Sequence, residues 1–297
     1  MKPRAWALPY AAVAFAACAW GTWGWVIRRT EAMAPMPTAL ESTIVMAVIT
    51  LVSGGMALRA RIPRRAPWRA WAWVAWIGVG DALNVLLFFA AYKLTIAVSV
   101  LTHYLTPLFV AVVAPWVLRE RMTARTASAI AVSFAGLAVM LAPTGAGVGP
   151  AVWASAALGA GSAVFYASNV IVNKFVVDSF STGETMFWHG VVATPLLAAF
   201  VPPAAWAAVD PRAALFLAAA TVGPGALAGL AFVWGLRRMP AAHASTLTLL
   251  EPLVSIVLGA ALLGEGLGWR AVVGGVLILA GSLAVMTQRT RLSRASP

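Results

Sequence analysis

Residues 105–125 read LTPLFVAVVAPWVLRERMTAR, and residues 250–270 read LEPLVSIVLGAALLGEGLGWR. Pro107, Glu120 and Arg125 of the first stretch stand 145 positions before Pro252, Glu265 and Arg270 of the second. The clearest difference lies around the shared glutamate, where Arg119-Glu120-Arg121 becomes Gly264-Glu265-Gly266. The chain repeats itself and removes the positive charges from one copy only.

Composition sets the surroundings in which this makes sense. Hydrophobic residues are 62% of the 297, charged residues 10%, and mean hydropathy is +0.88. A soluble domain is about a quarter charged, so this chain cannot clothe a water-facing surface. Its uncharged runs are of helix-spanning length, about 20 residues, and they lack the alternation of barrel strands. The pattern predicts an all-α integral membrane protein with ten transmembrane helices near 6–27, 37–58, 70–91, 95–117, 124–141, 150–173, 184–203, 213–235, 241–263 and 268–287. These are spans 1 to 10 below. The connections are short, and function is expected inside the bundle. The basic start and apolar run of MKPRAWALPYAAVAFAACAW imitate a signal peptide. However, the apolar run continues past any cleavage site, and span 1 is needed to match span 6. It is therefore read as a span.

The net charge of +12 does not point to nucleic acid. With the N-terminus in the cytoplasm, the tails and the loops near 59–69, 118–125, 174–183 and 237–240 hold 16 of the 21 Lys and Arg. The other side holds Arg28, Arg29, Lys93, Arg212 and Arg270. This is a positive-inside bias, with attraction to anionic lipid as a secondary effect. Five spans per copy is an odd number, so the second copy enters the membrane from the opposite side. Arg119 and Arg121 then lie in a cytoplasmic loop and Gly264 and Gly266 in an external one, as an inverted repeat requires. The expected units are 1–145 and 146–297. The match runs on through Gly78-x-Gly80 with Gly223-x-Gly225 and Gly136 with Gly281. Thr38 with Glu41 and Ser181 with Glu184 read as capping boxes opening spans 2 and 7.

Two five-helix halves, each with a Pro in its fourth helix, an L-x-E stretch after it and a Gly in the fifth, resemble the EamA-type branch of the drug/metabolite transporter superfamily. Glu251-Pro252 followed by Leu262-Leu263-Gly264-Glu265 is similar to that branch's second-half motif. The first half departs from it at Thr106 and Arg119. The resemblance implies a secondary transporter. The Trp-rich stretch Trp20-Gly-Thr-Trp23 looks most like the aromatic amino acid exporters within it.

The residues themselves point the same way. Ionisable groups in mid-membrane are costly and mark paths or relays. Here they are Asp81, His103, His189 and Glu251. Helical spacing places Asp81, Asn84 and Phe88 on one face of span 3, Ser99, His103 and Thr106 on one face of span 4, and Ser162, Tyr166, Asn169 and Asn173 on one face of span 6. Ser245, Thr248 and Glu251 share a face of span 9. Such stripes predict a shared polar interior. Serine, threonine and asparagine stripes taken singly serve equally well as helix glue. Trp68, Trp71, Trp116, Trp153, Trp206 and Trp269 fall at span ends, where aromatic belts belong. Trp20, Trp23, Trp188 and Trp234 lie deeper.

The predicted substrate-binding set is Trp20, Trp23, Asp81, Asn84, His103, Tyr166, Asn169, Trp188, His189, Thr248 and Glu251. Asp81 or Glu251 would take an ammonium group, and His103 or His189 with amide donors a carboxylate. Pro107 and Pro252 sit mid-span in equivalent helices. Each removes a backbone hydrogen bond and marks a hinge. Glu120 with Arg125, and Glu265 with Arg270, read as local loop pairs. Cys18 is the only cysteine, and no metal-binding cluster or Walker motif is present in the sequence. The expected function is export of amino acids, aromatic or large neutral, across a bacterial-type inner membrane, with no cofactor. Carriage of other small metabolites, such as quaternary amines or nucleotide sugars, is the alternative. An intramembrane enzyme using Asp81, His103 and Glu251 lacks a supporting motif.

Overall fold

The computed structural model describes residues 7–58, 66–141, 149–263 and 268–287, with the backbone alone for 92, 93, 96, 97 and 263. Trp6, the basic loop 59–65, the loop 142–148, Glu265 with its two flanking glycines and both basic tails lie outside the described residues, as do the readings made on them.

Among the described residues the chain forms helices and no strand. Nine helical stretches are long and apolar enough to cross a membrane: Ala7–Met33, Thr38–Ala57, Trp68–Ala91, Val98–Val117, Ala124–Leu141, Pro150–Phe175, Pro211–Leu236, Ala241–Leu262 and Trp269–Met286. They are spans 1 to 6 and 8 to 10. Span 7 is the helix Thr182–Ala198 of 17 residues, about 26 Å long at 1.5 Å per residue. It lies between spans 2 and 3. It opens with the expected capping box: the Ser181 amide donates to Glu184 Oε2 at 2.7 Å, and the Glu184 amide donates to Ser181 Oγ at 3.3 Å. The matching box of span 2 is not made. Pro37 occupies the cap position and Thr38 is already helical, so the threonine hydroxyl is past the place from which it could cap. Glu41 instead lies buried in the first turn.

The helices pack in a pattern that maps onto itself when each span is exchanged for its counterpart five spans away. Span 3 lies along span 6, and span 8 along span 1; span 4 meets span 6, and span 9 meets span 1. Spans 2 and 7, 4 and 9, and 5 and 10 meet their own counterparts. Successive spans cross in alternate directions, so two copies of five are related by an inverted two-fold repeat. The seam between spans 5 and 10 shows why small residues recur at the 145-residue offset. A side chain at Gly136 would place its Cβ 2.6 Å from the Gly274 carbonyl oxygen, and one at Gly281 would meet the Ala129 carbonyl at 2.6 Å. Backbones this close exclude any Cβ, as helix pairs in lipid favour. Trp68, Trp116, Trp153 and Trp269 are exposed at span ends, where an aromatic belt is expected.

Four spans are broken in mid-course. Span 1 is interrupted between Trp20 and Trp23. Span 4 is interrupted between His103 and Thr106, and span 9 between Leu247 and Leu250. The last two breaks are equivalent across the repeat and lie just before Pro107 and Pro252. The ring of each proline displaces the carbonyl four residues back, which belongs to His103 and Thr248. Neighbouring groups take up these carbonyls: Thr106 Oγ1 donates to the His103 oxygen at 2.9 Å, and the Glu251 amide donates to the Thr248 oxygen at 3.0 Å. In span 8 the run Val222–Leu227, which holds Gly223-Pro224-Gly225, winds as a π-helix, a form that often marks functional sites.

Candidate substrate site in the bundle

The break in span 4 places His103 and Tyr104 side by side, facing span 6. The His103 ring lies parallel to Tyr166, with centroids 5.5 Å apart and planes inclined by 7°. Phe88 of span 3 is 4.4 Å from the same ring and Tyr104 is 5.3 Å from it, edge-on. His103 Nδ1 is 2.8 Å from Ser162 Oγ. That hydroxyl gives its only proton to Asn84, whose Oδ1 is at 2.7 Å and carbonyl at 3.0 Å. Ser162 must therefore accept from His103 Nδ1–H, and a neutral His103 turns an acceptor nitrogen toward its other side. In that state it is a ligand for a donor, such as an ammonium or indole N–H, rather than for a carboxylate.

Two carboxylates flank this aromatic group. The Tyr104 hydroxyl hydrogen-bonds the Glu251 carboxyl. Glu251 stands in the first turn of the second half of span 9, where a helix N-terminus favours negative charge. Asp81, on span 3, approaches His189 of span 7, with Oδ2 3.7 Å from Nε2. Tyr166 lies within electrostatic reach of both Asp81 and Glu251. Spans 3, 4, 6, 7 and 9 thus bring Asp81, Asn84, His103, Tyr166, His189 and Glu251 into one region, with Phe88 and Tyr104 joining them.

The remaining expected residues lie around or apart from this region. Trp20 packs 5.1 Å from Phe232, against the same core that contains Tyr104 and Tyr166. Trp23 is half-buried at the start of the helix after the span 1 break. Asn169 sits one turn from Tyr166 and donates to the Ile77 carbonyl at 3.2 Å. Gly80 makes room for it: a Cβ there would fall 2.5 Å from Asn169 Oδ1. Thr248 is buried and turns its hydroxyl back to the Ser245 carbonyl at 2.7 Å, the helix-glue behaviour of such residues. Trp188 belongs to a separate apolar cluster with Trp71 and Phe187, at ring distances of 5.0 and 4.9 Å.

A second network ties the ends of the spans together on the face where span 1 begins and span 10 ends. Glu120 is not paired locally with Arg125. Its Oε2 accepts the Ala241 amide at 2.8 Å, capping the first helix of span 9, and its Oε1 is 3.7 Å from Lys174 Nζ. Lys174 also donates to the Met239 carbonyl, whereas Arg125 donates to Thr287 Oγ1 at 2.6 Å. The cause is simple: the loop after span 4 lies over the start of span 9, whose first amides have no partner within the helix and take the Glu120 carboxylate, while Arg125 stays exposed. Burial holds the Glu120 carboxyl above its ordinary value, against the opposing pull of Lys174 and the Ala241 amide. One turn further in, His243 joins three spans, with Nδ1 2.6 Å from the Tyr10 hydroxyl and Nε2 3.1 Å from Thr126 Oγ1. Residues 241–250 are wholly buried on this face, whereas residues 251–262 are mostly half-buried or exposed toward the other.

A bundle of this kind, with broken helices and buried charges meeting midway along the spans, defines a multi-pass membrane protein of the transporter class. The EamA-like transporter family matches residues 7–142 and 153–287. The chain belongs to that family, whose members are membrane transporters of small molecules within the drug/metabolite transporter superfamily. A protein of known crystal structure is similar over 94% of this chain and 98% of its own length, at 20% identity and a TM-score of 0.79, which shows a shared fold. No curated protein matches the chain.

Proposed function

We propose that this chain exports ammonium-bearing small molecules, aromatic and large neutral amino acids first among them, by alternating access in a bacterial-type inner membrane. Its two repeats, 1–145 and 146–297, each contribute a hinged helix, with hinges at Pro107 and Pro252. The observation that carries this reading is the aromatic group of Phe88, His103, Tyr104 and Tyr166 between Glu251 and Asp81. Such faces hold an aromatic side chain by area burial and offset stacking. They also attract a cation by about 0.5–2 kcal/mol. The carboxylates offer an ammonium group charge-assisted hydrogen bonds. With Oδ1 engaged by Ser162, Asn84 offers its amide nitrogen to a substrate carboxylate.

The distribution of Lys and Arg supports placing both termini in the cytoplasm. The Glu120–Lys174–Ala241 network is then the closed cytoplasmic gate, and the looser opposite face is the external opening through which substrate leaves. The chain needs no cofactor for this work and performs no bond chemistry.

A quaternary amine is the second reading. The spans carry no lysine or arginine near their centres to meet a substrate carboxylate, and aromatic cages with a carboxylate suit such cations. Both readings are tested by reconstituting the purified protein in liposomes and measuring entry of labelled tryptophan, with unlabelled choline as competitor. Saturable tryptophan entry that choline does not block supports the amino acid reading. Choline entry without tryptophan entry supports the second, and entry of neither overturns both.

A further inference from the structure

The sequence assigns Asp81 and His189 to opposite ends of a substrate, but the fold turns them toward each other. His189 Nδ1 lies 3.1 Å from the Thr185 carbonyl, which can only accept, so Nδ1 carries a hydrogen. Nε2 then faces Asp81 Oδ2 at 3.7 Å. With one proton between them, the pair is neutral overall, as carboxylate with imidazolium or as acid with imidazole. Without it, a carboxylate faces a bare nitrogen and the pair carries one negative charge. The His189 side chain is 7% exposed and that of Asp81 27%, so the proton has one open approach, from the carboxylate side. Tyr166 of span 6 is the titratable group adjoining the pair, and beyond it stand Glu251 of span 9 and His103, stacked on Tyr166, of span 4.

The repeat does not require this couple. Span 2, the counterpart of span 7, has no ionisable residue beyond Glu41 in its first turn, and span 8, the counterpart of span 3, has none beyond Arg212 at its start. Of the two contacts that the repeat relates, span 3 on span 7 and span 8 on span 2, only the first has thus acquired a proton-holding pair, one residue from each half, beside the substrate region.

We propose that Asp81 and His189 together form the binding site of a coupling proton, which an ammonium-bearing substrate exchanges for one-to-one. Binding of the cation near Asp81 favours the deprotonated, negatively charged couple and releases the proton; protonation of the couple weakens the hold on the cation. An inside-acid gradient then drives substrate in, and an outside-acid gradient drives it out. This rests on the export reading for its substrate, but not for the proton site itself.

The experiment has two arms. In the first, protein with ¹⁵N-labelled histidine is placed in lipid nanodiscs and titrated; three histidines give few signals, and His189→Gln identifies its own. The His189 signal is expected to change with pH in a single step, and that step is expected to move in Asp81→Asn. Unmoved His103 and His243 signals will show that the variant is folded. A His189 signal that ignores pH, or one whose step is the same in Asp81→Asn, overturns the proposal.

In the second arm, labelled tryptophan entry into proteoliposomes, with the membrane potential held at zero, is compared with and without an inside-acid gradient of about one pH unit, which supports roughly tenfold accumulation for one-for-one exchange. The ratio is expected to exceed about fivefold in wild type and to fall to about one in Asp81→Asn. A wild-type ratio near one overturns coupling. Absence of all tryptophan entry counts against the export reading alone, because the histidine titration still decides the proton site.

Discussion

Glu251→Gln isolates the charge in the proposed site. The amide is nearly the same shape as the carboxyl and can still accept the hydrogen bond from the Tyr104 hydroxyl, so the break in span 9 and its packing are retained. What is lost is the charge that faces a cationic group among Phe88, His103, Tyr104 and Tyr166. A hydrogen bond to a charged group contributes about 1.5–3 kcal/mol. At about 1.4 kcal/mol per decade, the half-saturating tryptophan concentration should rise roughly 10- to 150-fold. Tyr104→Phe removes a single bond to the same carboxyl and leaves its charge, so the rise should be tenfold or less, about 0.5–1.5 kcal/mol. The double variant should lose less than the sum, because both changes act on one group. The assay is labelled-tryptophan entry into proteoliposomes, normalised to folded protein by size-exclusion profile. Wild-type half-saturation in Glu251→Gln would refute the charged-site reasoning and leave recognition to the aromatic faces alone.

Other consequences follow from the packing and the breaks. Pro107→Ala and Pro252→Ala each restore a backbone hydrogen bond at an equivalent interruption, so turnover should fall while expression and thermal stability hold or rise; unchanged turnover in both variants counts against hinging. Gly136→Val forces backbones apart where a Cβ would lie 2.6 Å from the Gly274 carbonyl, so a loss of about 1–3 kcal/mol should appear as a lowered melting temperature in detergent. Glu120→Ala removes a cap from the Ala241 amide and a partner from Lys174. Cysteine reagents applied from the cytoplasmic side should then reach the interior faster, and an unchanged labelling rate would mean that the network does not act as a gate. Ile62→Cys in a Cys18→Ala background should label from the cytoplasm and Gly145→Cys from outside; the reverse would invert the topology.

Much of this architecture could be read before any coordinates. The spans are visible because a bilayer demands long uncharged runs. The repeat is visible because Pro107 and Pro252, and Gly136 and Gly281, answer to local backbone needs that recur at one offset. Legibility ended where tertiary contacts decide. Tyr104 was missed because the face Ser99–His103–Thr106 assumes an unbroken helix, and the break between His103 and Thr106 redirects the residue that follows His103. The Glu120–Lys174 contact joins two loop ends that no periodicity links. Asp81 and His189 were each visible as a buried charge, but their pairing depends on how span 7 lies against span 3. The capping boxes show the same boundary: Ser181 with Glu184 formed as read, whereas Pro37 fixed the entry to span 2 and left Thr38 inside the helix.

Two-sided access to the middle of the bundle tests the central claim most directly. In a Cys18→Ala background, Asn84→Cys places one thiol on the span 3 face that meets Ser162 and His103. A membrane-impermeant thiol reagent is applied to intact cells and, separately, to inside-out vesicles, with and without tryptophan. The account predicts labelling from both sides, with substrate slowing both rates. Labelling from one side only, under every condition, would contradict alternating access through this site.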